Sequence, residues 1–197
     1  MMLAMMKRII LASQSPRRLQ LLRQIGVEGF VQPADVDESV LPNETPKDYV
    51  LRLAVAKAQA ISFMHVSELE MPILAADTTV ALSGHIFGKP QGDADAAAML
   101  RTFSGCTHEV HTAIAVATPK RILNAVNTTQ VTFCTLSDAM IAAYIATGEH
   151  RDKAGSYGIQ GYAGAWVQYI AGSYTGVMGL PLYETAQLLT LAQPDFE

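Results

Sequence analysis

The chain reads as an α/β protein, and three stretches carry that reading. Residues 8–26 pass from a short apolar strand, Ile9–Ala12, through a polar turn into a helix that stops at Gly26. The run Met71–Ala76 is continuously apolar but too short for a helix, so it reads as a buried strand. Thr107–Ala117 alternates as a strand does, and after the turn Pro119-Lys120-Arg121 further strand-like runs follow in an antiparallel-looking arrangement.

Taken in order, the first helix has Ser15 as a good N-cap and Pro16 at its first position, so free N–H groups and a positive dipole end face the turn. Arg17 and Arg18 add two guanidinium groups there. They oppose the dipole unless an anion is shared with the free N–H groups, which predicts a phosphate site. Taken alone, the same arginines also fit a solvated helix start. Val27–Val31 reads as a short strand, and Gln32–Pro46 as a turn-rich stretch whose Asp35, Asp37 and Glu38 suit a metal or plain solvent. Thr45–Met64 is predicted as a helix, with Thr45 as N-cap, Pro46 at N1, Asp48 in the first turn, and Val50, Leu53, Ala54 and Ile61 at helical spacing. Lys57 falls on the same general side as Leu53, and by itself reads as a lysine whose stem is covered and whose head reaches water.

Asp77 follows the Met71–Ala76 strand directly. Thr78–Leu82, Ser83-Gly84 and His85–Phe87 predict a hairpin, so Asp77 lies at or inside a buried strand, where a carboxylate must find a cation or keep its proton. A turn-capping role is the alternative. Gly88 and Pro90 fix the backbone around Lys89. Asp93–Phe103 is predicted as a helix capped by Asp93, with Ala96, Ala97, Met99, Leu100 and Phe103 buried. On the Thr107–Ala117 strand, His108 and His111 point to opposite faces and cannot share a metal. Ile122–Val126 and Thr128–Leu136 are predicted strands, and Ser137 caps a helix to about Ala146. Glu149–Gly164 is glycine-rich and mixed in charge, with Asp152, Lys153, Tyr157 and Gln160; it suits close approach to a ligand or a plain connection. Ala165–Ile170 is the last predicted strand, Gly172–Leu180 a second glycine-rich loop, and Pro181–Ala192 a closing helix.

With 197 residues, half of them apolar, the chain can bury a sizeable core, and no linker, repeat or low-complexity tract divides it. A net charge of −4 gives no global basic field for nucleic acid, so an anionic ligand must be gripped by local positive clusters. Cys106 and Cys134 have neither disulfide-framework nor zinc-site spacing, and a reducing compartment is expected. The opening Met-Met-Leu-Ala-Met-Met is interrupted by Lys7 and Arg8, and no apolar run reaches the roughly 18–20 residues of a spanning helix. The expectation is a cytoplasmic protein without a membrane segment. A homodimer is allowed by the sequence but not required.

Five motifs in order carry a resemblance: Ser13-Gln-Ser15-Pro16-Arg17-Arg18, Ala76-Asp77-Thr78, Gly88-Lys89-Pro90, Lys153-Ala154-Gly155-Ser156-Tyr157-Gly158-Ile159-Gln160-Gly161 and Gly179-Leu180-Pro181-Leu182. Together they resemble the Maf-type nucleoside triphosphate pyrophosphatases over residues 8 to about 190. The resemblance implies an elongated, two-lobed α/β fold of the Maf and inosine triphosphatase-like type. A long mixed central sheet is flanked by helices, and residues 1–197 form one domain with a cleft between the lobes. It implies hydrolysis between the α- and β-phosphates, releasing a monophosphate and pyrophosphate. By position, Asp77 resembles the family's catalytic base, and Glu38 with Asp77 would hold a divalent metal, Mg²⁺ or Mn²⁺. Arg18, Lys57 and Lys89 would neutralise phosphates beside Ser13, while Arg17, Thr78 and Gln160 match positions linked to substrate choice.

The segment Gly158-Ile159-Gln160-Gly161 resembles the dTTP and UTP branch rather than the 7-methyl-GTP branch, and an amide offers donor and acceptor together to a pyrimidine edge. Modified pyrimidine nucleotides fit the same site. A nucleotide-binding regulator of cell division without turnover is the alternative, and Asp77 with both lysines argues against it. A role in stable nucleic-acid binding is disfavoured by the net acidity and by the lack of an aromatic stacking stripe.

Overall fold

The computed structural model describes residues 6–64 and 71–196. The opening Met1–Met5 lies outside them. The helices are α1 (Pro16–Gln24), α2 (Pro46–Met64), α3 (Asp93–Phe103), α4 (Asp138–Thr147), the single turn α5 (Tyr174–Val177) and α6 (Leu182–Ala192). The strands are β1 (Arg8–Leu11), β2 (Glu28–Val31), β3 (Ile73–Leu82), β4 (His85–Phe87), β5 (Thr107–Ala117), β6 (Ile122–Phe133) and β7 (Val167–Ala171). They form one mixed sheet in the order β2-β1-β3-β5-β6-β7, with β4 paired to β3. β1 runs parallel to β2 and β3, and every other pairing is antiparallel. This is the long mixed sheet with flanking helices that the resemblance implies. Among the described residues no helix is long and apolar enough to cross a membrane.

Strand alternation divides the core. Leu74 and Ala76 of β3, with Ile114 and Val116 of β5, meet Leu21 and Leu22 of α1 and Leu188, Leu189 and Ala192 of α6. The intervening Ile73 and Ala75, with Ala113, Ala115 and Ala117, meet Val50, Ala54, Ala58 and Ile61 of α2. This second layer is mostly alanine, so α2 packs close to the sheet. A third cluster surrounds Phe103, Phe133, Tyr144, Tyr157 and Trp166 toward α3 and α4. At its centre the buried His108 ring bonds the Tyr157 hydroxyl at 2.8 Å, while His111 turns to Thr128 at 3.0 Å.

Sheet pairing also shapes the cleft. β1 pairs with β3 only at Ile73 and Leu74, and β4 takes over only at Val80, so the β3 edge between them lies open. Asp77 sits on that open stretch, at the carboxyl end of β1, with its other edge paired to Ala113.

Several boundaries differ from the sequence expectations. Ser15 occupies the N-cap of α1 and Pro16 its first position, but the Ser15 side chain makes no capping bond; its N–H donates to Ser13 Oγ at 3.2 Å instead. Gly92, not Asp93, caps α3, because Asp93 is already helical and its carboxylate pairs with His150 at 3.0 Å. β6 is one continuous strand rather than two. Asn127, the expected break, stays in the ladder because its amide donates to Glu184 at 2.7 Å. β7 begins later than expected, since a short 3₁₀ segment takes residues Tyr162–Trp166. The Thr45 cap holds, with its hydroxyl 3.2 Å from the Asp48 N–H, and the Ser83-Gly84 hairpin holds with φ of 51° and 78°.

Candidate active site

A cleft of about 800 Å³ opens at the gap in the β3 edge, and every candidate site residue lines it: Ser13, Arg17, Arg18, Glu38, Lys57, Asp77, Thr78, Lys89 and Gln160. Alternation along β3 sorts its two site residues. Asp77 faces α2, and Thr78 faces α1.

Lys57 is the hub on the α2 side. It is 8 % exposed and Asp77 is 7 % exposed, so the lysine is not the solvent-reaching one its sequence context suggests. Its Nζ lies 2.7 Å from Asp77 Oδ1 and 2.6 Å from Glu38 Oε1. Two carboxylates from distant segments therefore meet on one ammonium. The acidic loop carrying Glu38 is tied to α2 by two more residues. The Tyr49 hydroxyl donates to the Glu38 carbonyl at 3.0 Å, and Arg52 forks onto Glu44 at 2.5 and 2.8 Å.

Arg18 organises the α1 side. Its Nε donates to the Gly179 carbonyl at 2.8 Å, Nη1 to Ser13 Oγ at 3.0 Å and Nη2 to Thr78 Oγ1 at 3.2 Å. All three acceptors are neutral, so the bonds fix the guanidinium without cancelling its charge. Thr78 Oγ1 is in turn 2.9 Å from Thr112 Oγ1, which donates to the Gly176 carbonyl. Arg17 and the exposed Lys89 line the same cleft.

The two carboxylates titrate in opposite directions. Burial pushes the Asp77 carboxyl above its ordinary value, against the opposing charges of Lys57 and Arg18. Burial also opposes ionisation of Glu38, but its Lys57 hydrogen bond and the charges of Lys57, Lys89 and Arg18 outweigh this, and its pKa falls. Arg18 is lowered by burial, with Asp77 the main counterweight. Paired groups driven apart in this way are a recurring sign of divided acid–base roles.

For a metal, the donor set is oxygen only. Each carboxylate uses one oxygen on Lys57, and among the described residues no three His, Cys, Asp or Glu side chains gather in a cage. Two hard carboxylates suit Mg²⁺ or Mn²⁺ completed by phosphate and water, and fit poorly with a soft metal.

Cleft-lining Tyr49 and Lys153 were not among the candidates. Lys153 opens the longest of the five motifs, which was a usable signal; Tyr49 carries none beyond its place on the inner side of α2.

A family model for Maf-like proteins matches residues 8–192. A dTTP/UTP pyrophosphatase of Methylobacillus flagellatus is 57 % identical, over 93 % of this chain and 92 % of its own. Proteins of the same description from Chromobacterium violaceum (53 %, over 92 % and 93 %) and Colwellia psychrerythraea (50 %, over 94 % and 89 %) are similarly close. Motifs, sheet and cleft agree with a match running almost end to end, and the chain belongs to the Maf-like protein family.

Proposed function

We propose that the chain is a nucleoside triphosphate pyrophosphatase that hydrolyses dTTP and UTP to the monophosphate and pyrophosphate. The observation that carries this reading is the meeting of Asp77 and Glu38 on Lys57 Nζ, in a cleft also lined by Arg18, Arg17 and Lys89. The names of its relatives supply the choice of nucleotide. The chain acts as one domain, residues 1–197, with the cleft between two lobes. The interrupted edge of β3 supports that division. A nucleotide substrate supports a cytoplasmic location.

Asp77 takes a proton from water as the water oxygen attacks phosphorus. The bridging P–O bond between the α- and β-phosphates breaks, and pyrophosphate leaves. A carboxyl raised above its ordinary pKa is, in its ionised form, a stronger base than a solvated aspartate. Arg18 and Lys89 neutralise the phosphates, and Ser13 with Thr78 holds the Arg18 fork in place. Lys57 keeps Asp77 and Glu38 oriented. Glu38 and Asp77 would hold the divalent cation, which when bound shares the charge of the phosphates. Arg17, Thr78 and Gln160 act on substrate choice.

The test is release of pyrophosphate from a panel of nucleoside triphosphates, with and without chelator. Turnover of dTTP and UTP well ahead of ATP and GTP, lost in chelator and restored by Mg²⁺ or Mn²⁺, is expected. Full activity in excess chelator removes the metal, equal rates on purines remove the base preference, and tight binding without turnover favours a nucleotide-sensing regulator.

A further inference from the structure

Thr78 and Thr112 stand directly opposite each other on β3 and β5, on the sheet face that meets α1. Thr112 is 1 % exposed and lies outside the lining of the cleft. The direction of the bond between the two hydroxyls follows from what each one touches. A hydroxyl has one proton to give, and a carbonyl only accepts. Thr112 gives its proton to the Gly176 carbonyl at 2.8 Å, so across the 2.9 Å contact Thr78 donates and Thr112 accepts. Thr78 therefore meets Arg18 Nη2, at 3.2 Å, as an acceptor. The relay runs one way, from guanidinium to Thr78, to Thr112, to Gly176.

The other arm of the same side chain closes a ring. Arg18 Nε donates to the Gly179 carbonyl at 2.8 Å, and the Gly179 N–H donates to the Gly176 carbonyl at 2.9 Å. Both arms thus end on one carbonyl oxygen, one through backbone and one through two hydroxyls. Residue 176 has no room for a side chain, since a β-carbon there would lie 2.8 Å from Asn127 Oδ1. A guanidinium has five N–H groups; Gly179, Ser13 and Thr78 take one each, which leaves one on each Nη for an anion. Turning the guanidinium plane would break both arms of the ring, so the aim of those two groups is set before substrate arrives.

We propose that Thr112 is a positioning residue for phosphate binding: by taking the Thr78 proton and giving its own to Gly176, it locks the plane of the Arg18 guanidinium and aims the two unspent N–H groups at the substrate's phosphates. The inference rests on the pyrophosphatase reading for the identity of that substrate. Without the Thr112 hydroxyl, the Thr78 proton loses its acceptor on the sheet side and is free to turn toward Arg18, donor against donor. The Gly176 carbonyl loses one of its two donors as well, and the turn that holds Arg18 Nε slackens.

The test is a double-mutant cycle read in two ways, by kcat/KM on UTP and by calorimetric binding of inorganic tripolyphosphate. Thr112→Val keeps the shape and removes the hydroxyl, Thr112→Ser keeps the hydroxyl, and Arg18→Lys keeps the charge but removes the fork. Thr112→Val is expected to lose roughly tenfold in both readings beside the native Arg18, and less than about twofold in the Arg18→Lys background. Thr112→Ser should stay within about threefold of the wild type. A residue that only supports the fold would cost the same in both backgrounds. Equal losses in the two backgrounds, or a Thr112→Ser loss as large as that of Thr112→Val, overturn the proposal. If Thr112→Val fails to melt cooperatively, Thr112→Cys, whose thiol is a weak donor, takes its place with the same expected pattern. A wild type that turns over no nucleotide, yet shows the cycle in tripolyphosphate binding, sinks the pyrophosphatase reading and leaves the relay standing. Normal UTP turnover with background-independent losses does the reverse.

Discussion

Replacing Asp77 by asparagine keeps the shape of the side chain and removes its ability to take a proton. The surroundings allow the exchange. Lys57 keeps Glu38 at 2.6 Å, and the new amide oxygen can still accept from Nζ, so no buried ammonium is stranded. General-base catalysis is worth roughly 10²–10⁴-fold, or about 3–5 kcal/mol of barrier, and the loss should fall on kcat. Affinity should hold or tighten, because one negative charge leaves a site that binds phosphates. Stability supplies an independent check. The folded pKa of Asp77 is raised, so the ionised carboxylate is a net penalty to the fold at neutral and higher pH, and the penalty is relieved as pH falls through the folded pKa. Asp77→Asn should therefore melt no lower than the wild type at pH 8, and any advantage should shrink toward pH 4. Steady-state pyrophosphate release from UTP beside melting curves at the two pH values tests both halves. More than about a tenth of wild-type kcat would refute the catalytic assignment. A lower melting temperature with normal kinetics would make Asp77 a structural carboxylate.

Two further outcomes follow from the same geometry. The acid limb of the wild-type kcat/KM profile should have its midpoint above the ordinary aspartate value of about 3.9, since Asp77 protonates early as pH falls. A limb below that value, or one that persists in Asp77→Asn, would point to another group. Gly155→Ala should cost about 1–3 kcal/mol, because residue 155 has φ of +67° and its β-carbon would lie 2.7 Å from Val80 Cγ2. The displaced loop also carries Lys153 and Gln160, so KM should rise more than kcat falls; an unchanged melting temperature would contradict the packing argument.

Local chemistry was readable wherever it was self-contained. The strand, turn and helix over residues 8–26, the Thr45 and Ser137 caps and the Ser83-Gly84 hairpin each depend on neighbours within a few residues, and each forms. What escaped depends on distant partners. The Ser15 side chain makes no capping bond, and its backbone N–H goes to the Ser13 hydroxyl, itself held by Arg18. Asn127 looked like a strand break because Glu184, which satisfies it, lies 57 residues away in sequence. Lys57 illustrates the limit best. Spacing placed it on the inner side of α2, yet only the arrival of β3 and the acidic loop turned it from a surface-type lysine into a buried bridge. The cluster of site residues came from motif resemblance; spacing in the sequence does not place Glu38 next to Asp77.

The alanine layer between α2 and the sheet has a consequence for chemistry as well as packing. A lysine side chain has a fixed reach, and Lys57 must span the gap from the helix axis to β3 to touch Asp77. Ala54, Ala58, Ala75, Ala113 and Ala115 set the width of that gap. Their methyl groups act as a gauge block: a single valine at the fully buried Ala54 would overpack this layer, and a helix pushed outward carries Nζ away from the carboxylate. The seating of Lys57 on Asp77 is thus calibrated by side-chain volumes that do not line the cleft.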